Sequence, residues 1–383
     1  MTILLLGIIY LSFISLGLPD SLLGAAWPTM CLDFAAPVSW AGPISLIMCA
    51  GTIVSSLLSD RMTRRFGTGL VTAVSVSMTA LALMGFSFTK NYWGMLLWAV
   101  PCGLGAGGVD AALNNYVALH FASRHMSWLH CMWGVGASVG PYIMSYALTG
   151  GQGWNMGYRY IAFIQIALVV ALYVCIPLWK KRDTADETGS DSKALSIRQI
   201  LAIPGAKEVL VAFFCYCAAE QTAMLWGSTY MVGHLGMGEE EAASLASLFF
   251  IGITAGRAAN GFLTYKMNDK NLIRLGQAIV VLGILIMLLP LGKYGAIAGL
   301  LLIGLGCAPV YPCIIHSTPE HFGPENSQAL IGVQMASAYM GTLVMPPLFG
   351  LIANHITVSL MPVYLGIITA LMIFMCEKLN RKA

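Results

Sequence analysis

Residues 93–121 read WGMLLWAVPCGLGAGGVDAALNNYVALHF. The run is longer than the about 20 apolar residues needed to cross the hydrocarbon core of a bilayer. It holds no Lys, Arg or Glu, and its one carboxylate is Asp110. Its glycines crowd into 103–108, where small residues let helix backbones approach closely in lipid. This is a membrane helix with one tightly packed face and an acid placed well inside the span. Part of it recurs: Gly103-Leu104-Gly105 returns as Gly304-Leu305-Gly306, 201 residues later.

The rest of the 383 residues conform to that reading. Hydrophobic residues make up 58% of the chain, charged residues 10%, and the mean hydropathy is +0.77. Soluble domains carry about 25% charged residues, so this chain has too few to keep a water-facing surface wet. Twelve spans are predicted: Leu4–Ala26, Trp40–Leu58, Thr68–Phe88, Trp93–Phe121, Trp128–Leu148, Tyr160–Trp179, Val209–Val232, Ala242–Leu263, Leu272–Leu291, Tyr294–Ile315, Ala329–Ala353 and Leu360–Cys376. The first apolar run is followed by further spans and reads as a helix, not a cleaved leader. The long polar stretch 180–198 contains Lys180, Lys181, Arg182, Asp183, Asp186, Glu187 and Asp191, and lies near the midpoint. The expected organisation is a six-helix bundle over 1–179, a cytoplasmic linker over 180–204 and a second six-helix bundle over 205–383.

The halves echo each other beyond the Gly-Leu-Gly triplet. Gly51, Ser56, Asp60 and Arg61 align at an offset of 205 with Gly256, Gly261, Tyr265 and Lys266, and Pro141 aligns with Pro346. Such internal similarity between six-helix halves marks parallel-repeat transporters. Placing both termini in the cytoplasm puts 16 of the 20 Lys and Arg on the inner side, as the positive-inside rule requires. The expected location is therefore the cell membrane.

The connection after the second span reads Ser56-Leu-Leu-Ser-Asp60-Arg61-Met-Thr63-Arg64-Arg65. It resembles the signature loop of the major facilitator superfamily, Gly-x-x-x-Asp-Arg-x-Gly-Arg-Arg, with Ser56 and Thr63 in place of its glycines. The resemblance implies the twelve-helix, all-α fold of that superfamily and a gating latch formed by Asp60, Arg61, Arg64 and Arg65. Read for topology alone, the same arginines hold the loop inside. Within the superfamily the chain is most similar to the fucose–proton symporter group. Asp110 and Asn114 match an acid and an Asn of that group, Asp20 in Leu18-Pro19-Asp20-Ser21 matches its other membrane acid, and His130 stands where the fucose carrier has a sugar-binding Gln. Glu220, Trp226 and Tyr230 fall in a spacing common to the relatives.

Asp20, Asp110 and Glu220 are the carboxylates deep within spans. Each costs about 2.5–3.5 kcal/mol at a helix centre on insertion scales. A carboxyl group removed from water holds a proton that a wet one releases, so the three are candidate proton carriers; Glu220 also suits a substrate hydroxyl. Candidate substrate-binding residues are Asn114, Asn115, His130, Trp133, Glu220, Gln221, Trp226, Tyr311, Gln334 and Tyr339. Amides serve hydroxyls, and aromatic faces serve the apolar face of a pyranose. Arg257 is read as a partner of the closing latch, and His316, just past the tenth span, as a weaker candidate for proton relay.

The net charge of +3 and the lack of basic patches with aromatics give no ground for nucleic acid as a partner. The ten Cys show no metal spacing and no disulfide framework, so no metal or cofactor is expected. No nucleophile–base set suggests an enzyme. The reading is a monomeric, proton-coupled symporter of a sugar or similar small polar solute, working by alternating access in a lipid bilayer. The competing reading is a proton-driven efflux antiporter for amphipathic, drug-like compounds.

Overall fold

The computed structural model describes residues 2–37, 40–186, 195–246 and 248–382. It is all-α, with no strand among the described residues. The helices are α1 (Thr2–Asp20), α2 (Leu22–Asp33), α3 (Ala41–Phe66), α4 (Thr68–Phe88), α5 (Tyr92–His120), α6 (Ser123–Thr149), α7 (Trp154–Asp186) and α8 (Ile197–Ala202). They continue as α9 (Ala206–Leu235), α10 (Glu239–Ala246), α11 (Leu248–Leu263), α12 (Asp269–Leu288), α13 (Gly292–His316), α14 (Thr318–Phe322), α15 (Pro324–His355) and α16 (Met361–Asn380). Taking α1 with α2 as one span interrupted at Ser21, and α10 with α11 as one span, gives the twelve-helix arrangement.

Ten of these spans are long and apolar enough to cross a membrane. Of the other two, α10 and α11 flank residue 247, which lies outside the described residues, and α6 carries His125, His130, Trp133 and a row of Ser and Gly that lower its hydropathy. The outward faces bear residues such as Leu97, Val174 and Ile367, each about two-thirds exposed or more. On a multi-pass membrane protein these face lipid.

The chain forms two compact units. Unit 1 comprises Met1–Tyr116 and Leu129–Leu195, and unit 2 comprises Val117–Trp128 and Ser196–Ala383. The polar connection is shorter than expected at its start, because α7 runs on to Asp186. Residues 187–194, which include Glu187 and Asp191, lie outside the described residues. The short helix α8 then begins at a capping box made by Ser196 and Gln199.

Glycines set the helix crossings. In unit 1 a Cβ on Gly103 would stand 2.1 Å from the Met48 carbonyl oxygen of α3, and one on Gly105 would stand 2.5 Å from the Ser75 carbonyl oxygen of α4. In unit 2 a Cβ on Gly304 would stand 2.3 Å from the Phe249 carbonyl oxygen of α11, and one on Gly306 2.6 Å from the Gly276 carbonyl oxygen of α12. The two triplets therefore do the same work in their units. Each wedges one helix between two others at distances that no side chain permits.

These contacts also fix the register of the repeat. Met48 matches Phe249, Gly51 matches Gly252 and Ser75 matches Gly276, all at the 201-residue offset of the triplets. The alignment of Gly51 with Gly256 is therefore displaced by four residues. One helical turn returns a residue to the same face, so a pattern of glycines alone does not distinguish the two registers.

Two proline breaks are repaired by side chains. Pro19 removes the donor that the Ser15 carbonyl would use, and the Gln165 amide of α7 donates to it at 2.8 Å. Pro141 likewise frees the Ala137 carbonyl, which accepts from Ser21 Oγ at 2.8 Å. Gln165 also accepts from Thr79 Oγ1 at 2.9 Å, joining α1, α4 and α7.

Gly304→Ala is expected to lower stability by about 1–3 kcal/mol, the usual range for overpacking. Gly42→Ala, where a Cβ meets nothing within 4 Å, should be neutral. Thermal unfolding of the two purified variants in detergent checks this, and equal midpoints would contradict the packing account.

Candidate functional site

The acids of unit 1 converge on α6. The Asn114 amide, one turn beyond Asp110 on α5, donates to Asp110 Oδ1 at 2.8 Å and to the Asp110 backbone carbonyl at 2.9 Å. That leaves Asn114 Oδ1 to accept, and His130 Nε2 stands 3.0 Å from it. An amide oxygen cannot donate, so His130 carries its proton on Nε2 here. Phe13 of α1 meets the imidazole edge-on, at 5.4 Å between centroids. Asp110, Asn114 and His130 are all buried.

Three residues further along the same face of α6, Trp133 Nε1 donates to Asp20 Oδ2 at 2.7 Å. Asp20 is the last residue of α1, immediately before the break at Ser21, and it is exposed. An exposed carboxylate within a span faces water, not lipid. Unit 1 thus holds one buried acid and one accessible acid.

In unit 2 Glu220 of α9 accepts from Arg257 Nη2 of α11 at 3.1 Å, with the arginine side chain 5% and the glutamate side chain 18% exposed. Arg257 had been expected to serve the latch; it is instead the counterion of Glu220. Tyr311 packs beside this pair against Phe213 and Tyr216, at 4.7 and 5.9 Å between centroids, and its hydroxyl donates to Met335 Sδ.

The two clusters occupy equivalent positions. A Cβ on Gly136 of α6 would meet Ile14 O and Leu18 N, and one on Gly341 of α15 would meet Phe214 O and Ala218 N. Residues 14 and 18 therefore correspond to 214 and 218, and Asp20 corresponds to Glu220. By the 201-residue register, Asp110 corresponds to Tyr311 and Ser56 to Arg257. Neither the pairing of Asp20 with Glu220 nor the place of Arg257 was read from the sequence. An alignment of the first and seventh spans at an offset of 200 would have shown the first.

Other candidates are placed elsewhere or take structural bonds. Trp226 donates its indole N–H to the Pro346 carbonyl at 2.9 Å and packs on Gly350 and Phe349. Gln334 is hydrogen-bonded to Thr318 at 3.1 Å, near the end of α13. Asn115 is buried on α5, whereas Gln221 and Tyr339 are half-buried. In the loop motif Asp60 pairs with Arg64 on its own helix at 2.8 Å, and Arg61 and Arg65 are exposed.

Removing one partner of a buried ion pair costs roughly 3–5 kcal/mol, whereas removing both is close to neutral. Glu220→Gln or Arg257→Gln alone should therefore destabilise strongly, and the double variant should recover most of the loss. A double-variant cycle on unfolding midpoints measures this; additive losses would show that the pair is not coupled.

The comparisons follow the same lines. The family model of the Major Facilitator Superfamily matches residues 9–230 and 209–381. The chain is 22% identical over 396 residues to Bypass of stop codon protein 6 of Saccharomyces cerevisiae, covering 94% of this chain and 79% of that protein. It is 21% identical over 375 residues to the glucose/mannose transporter GlcP of Bacillus subtilis, covering 96% and 91%. Among solved structures, the E. coli fucose:proton symporter FucP superimposes with a TM-score of 0.76 at 15% identity, covering 97% of this chain and 98% of that one.

Proposed function

The chain belongs to the major facilitator superfamily, and we propose that it is a proton-coupled symporter of a sugar or similar small polyhydroxylated solute. The observation that carries this reading is the arrangement on α6, where one helix face offers Trp133 to Asp20 and His130 to Asn114, the amide that holds Asp110. A buried carboxyl group linked through an amide to an imidazole can hold a proton inside a membrane span. The named substrates of GlcP and FucP are sugars, and a fucose carrier that is itself a proton symporter shares the fold.

In the proposed cycle Asp110 is the proton site and Asp20 the accessible acid through which it exchanges with water. Asn114, His130 and Trp133 hold the acids and supply hydrogen bonds to substrate hydroxyls. Glu220, held by Arg257, and Tyr311 are the substrate-binding candidates of unit 2. Proton and solute bind together, and the loaded carrier changes its access. Both termini and the 180–204 connection lie in the cytoplasm of the cell whose membrane holds the protein, and the Asp60–Arg64 pair biases the conformational equilibrium without touching substrate.

Asp110→Asn keeps the neutral state permanently. Substrate exchange between preloaded pools should survive in proteoliposomes, because it needs only the loaded carrier. Accumulation driven by an imposed pH gradient should fall to background, because the empty carrier no longer releases and rebinds a proton. The substrate is first identified by thermal-shift screening against sugars, polyols and drug-like compounds. Full gradient-driven accumulation by the variant would remove Asp110 from the mechanism, and stabilisation by the drug-like compounds alone would reverse the substrate assignment.

A further inference from the structure

Residues Val117–Trp128 belong to unit 2, although the chain on either side, Tyr116 and Leu129, belongs to unit 1. The segment comprises the last turn of α5, the first turns of α6 and the tight connection between them. It is secured at several points. Asn260 Nδ2 donates to Ser127 Oγ at 2.7 Å, the Trp128 ring covers Gly261 and meets Phe262 at 5.8 Å, and Arg124 lies over the Tyr265 ring at 5.2 Å. At its centre stands His316, the last residue of α13. His316 Nδ1 is 2.6 Å from Asp269 Oδ2, and Nε2 is 3.0 Å from the Phe121 backbone oxygen. The other oxygen of Asp269 accepts from Ser123 Oγ.

The chemistry of these partners fixes the state of the ring. A backbone carbonyl accepts only, and an ionised carboxylate accepts only. A neutral imidazole has one N–H and leaves one of the two acceptors facing a lone pair. The imidazolium has two N–H groups and satisfies both. We propose that His316 is a second proton-binding site, whose protonated form clasps the 117–128 segment onto unit 2 and whose neutral form releases it. Asp20, Asp110 and any substrate play no part in this inference, so it stands or falls apart from the transport reading.

The charged groups that bear on His316 are Asp269 from α12 and Glu320 from α14, both acidic. Cys313, three residues earlier on α13, borders Asp269 and Ser123. Burial disfavours the charged ring, but the Asp269 carboxylate, the Phe121 carbonyl and Glu320 together outweigh it, so the clasp is complete at low pH and is lost as the pH rises and the clasped ring gives up its proton. The consequence reaches the first site through the chain itself. The segment runs without a break into the helices that carry Asp110, Asn114, His130 and Trp133, so release at His316 frees the ends of both.

The test is hydrogen exchange of the peptides covering 117–128 in the full-length protein, from mildly acid to mildly alkaline pH, with rates corrected for intrinsic pH dependence. In the wild-type protein, protection of the segment should fall by about ten-fold or more across the imidazole titration, the scale set by a lost charge-assisted hydrogen bond. His316→Gln has no proton to lose, so its segment should be weakly protected at every pH. Asp269→Asn removes the counterion and should move release to lower pH. Wild-type protection that stays flat, or a pH dependence unchanged in His316→Gln, would overturn the proposal. Should the glutamine variant fail to fold, an Asp269→Asn protein that releases at the wild-type pH overturns it equally.

Discussion

Helices surrounded by lipid gain little by burying apolar side chains against one another, because the acyl chains offer the same environment. What holds them is close approach, and in this protein close approach means glycine beneath a carbonyl. Gly103 and Gly105 present opposite faces of α5 to α3 and α4, and Gly304 and Gly306 do the same for α13 between α11 and α12. Once two faces are committed in this way, the rotation of the helix about its axis is settled. Asp110 and Asn114 lie seven and eleven residues beyond Gly103, on the same face of α5 further along its axis, where Asn114 meets His130 of α6. The position of the acid follows from the crossings, not from any preference of the carboxylate itself.

The same scaffold, repeated, carries unlike chemistry. Asp20 and Glu220 hold equivalent places, yet Asp20 receives a neutral indole N–H from α6 and Glu220 receives a guanidinium from α11. A carboxylate facing an arginine has a counterion fixed beside it. A carboxylate facing an indole has its charge only partly met. The difference traces to single positions: Arg257 stands where unit 1 has Ser56, and Tyr311 where it has Asp110. Unit 1 thus sets its acids against neutral donors, and unit 2 sets Glu220 against a cation. This division is why Glu220, grouped by its sequence context with the proton carriers, is a substrate-binding candidate in the proposed cycle.

Much of the fold was legible because lipid imposes long apolar runs, and because the Gly-Leu-Gly triplets stand out against them. The Asp110–Asn114 contact was equally legible, since residues four apart on a helix meet. Its extension to His130 crosses between helices, and Trp133 with Asp20 spans 113 residues of chain. Such contacts depend on rotations that hydropathy does not encode. Trp226 shows the opposite failure. An indole inside a span reads as a sugar platform, but here its N–H is taken by the Pro346 backbone carbonyl. The residues around His316 were underrated for a related reason: Asp269, Ser123 and His316 lie at the ends of three separate spans, where charge is common and ordinarily solvated.

The donor and acceptor roles around Asn114 also bear on how a proton would be felt beyond Asp110. In the arrangement described, the amide nitrogen donates to Asp110 Oδ1 and the amide oxygen accepts from His130 Nε2. A proton placed on Oδ1 is incompatible with that donor, so it must occupy the other oxygen or the amide must turn over. If the amide turns, its oxygen accepts from the protonated acid and its nitrogen faces His130. Nε2 then has to accept, and the imidazole proton moves to Nδ1. In that second case a change at Asp110 becomes a change of tautomer on α6, three residues from the indole that holds Asp20. Both acids are read by one helix, and that helix begins in the segment secured at His316.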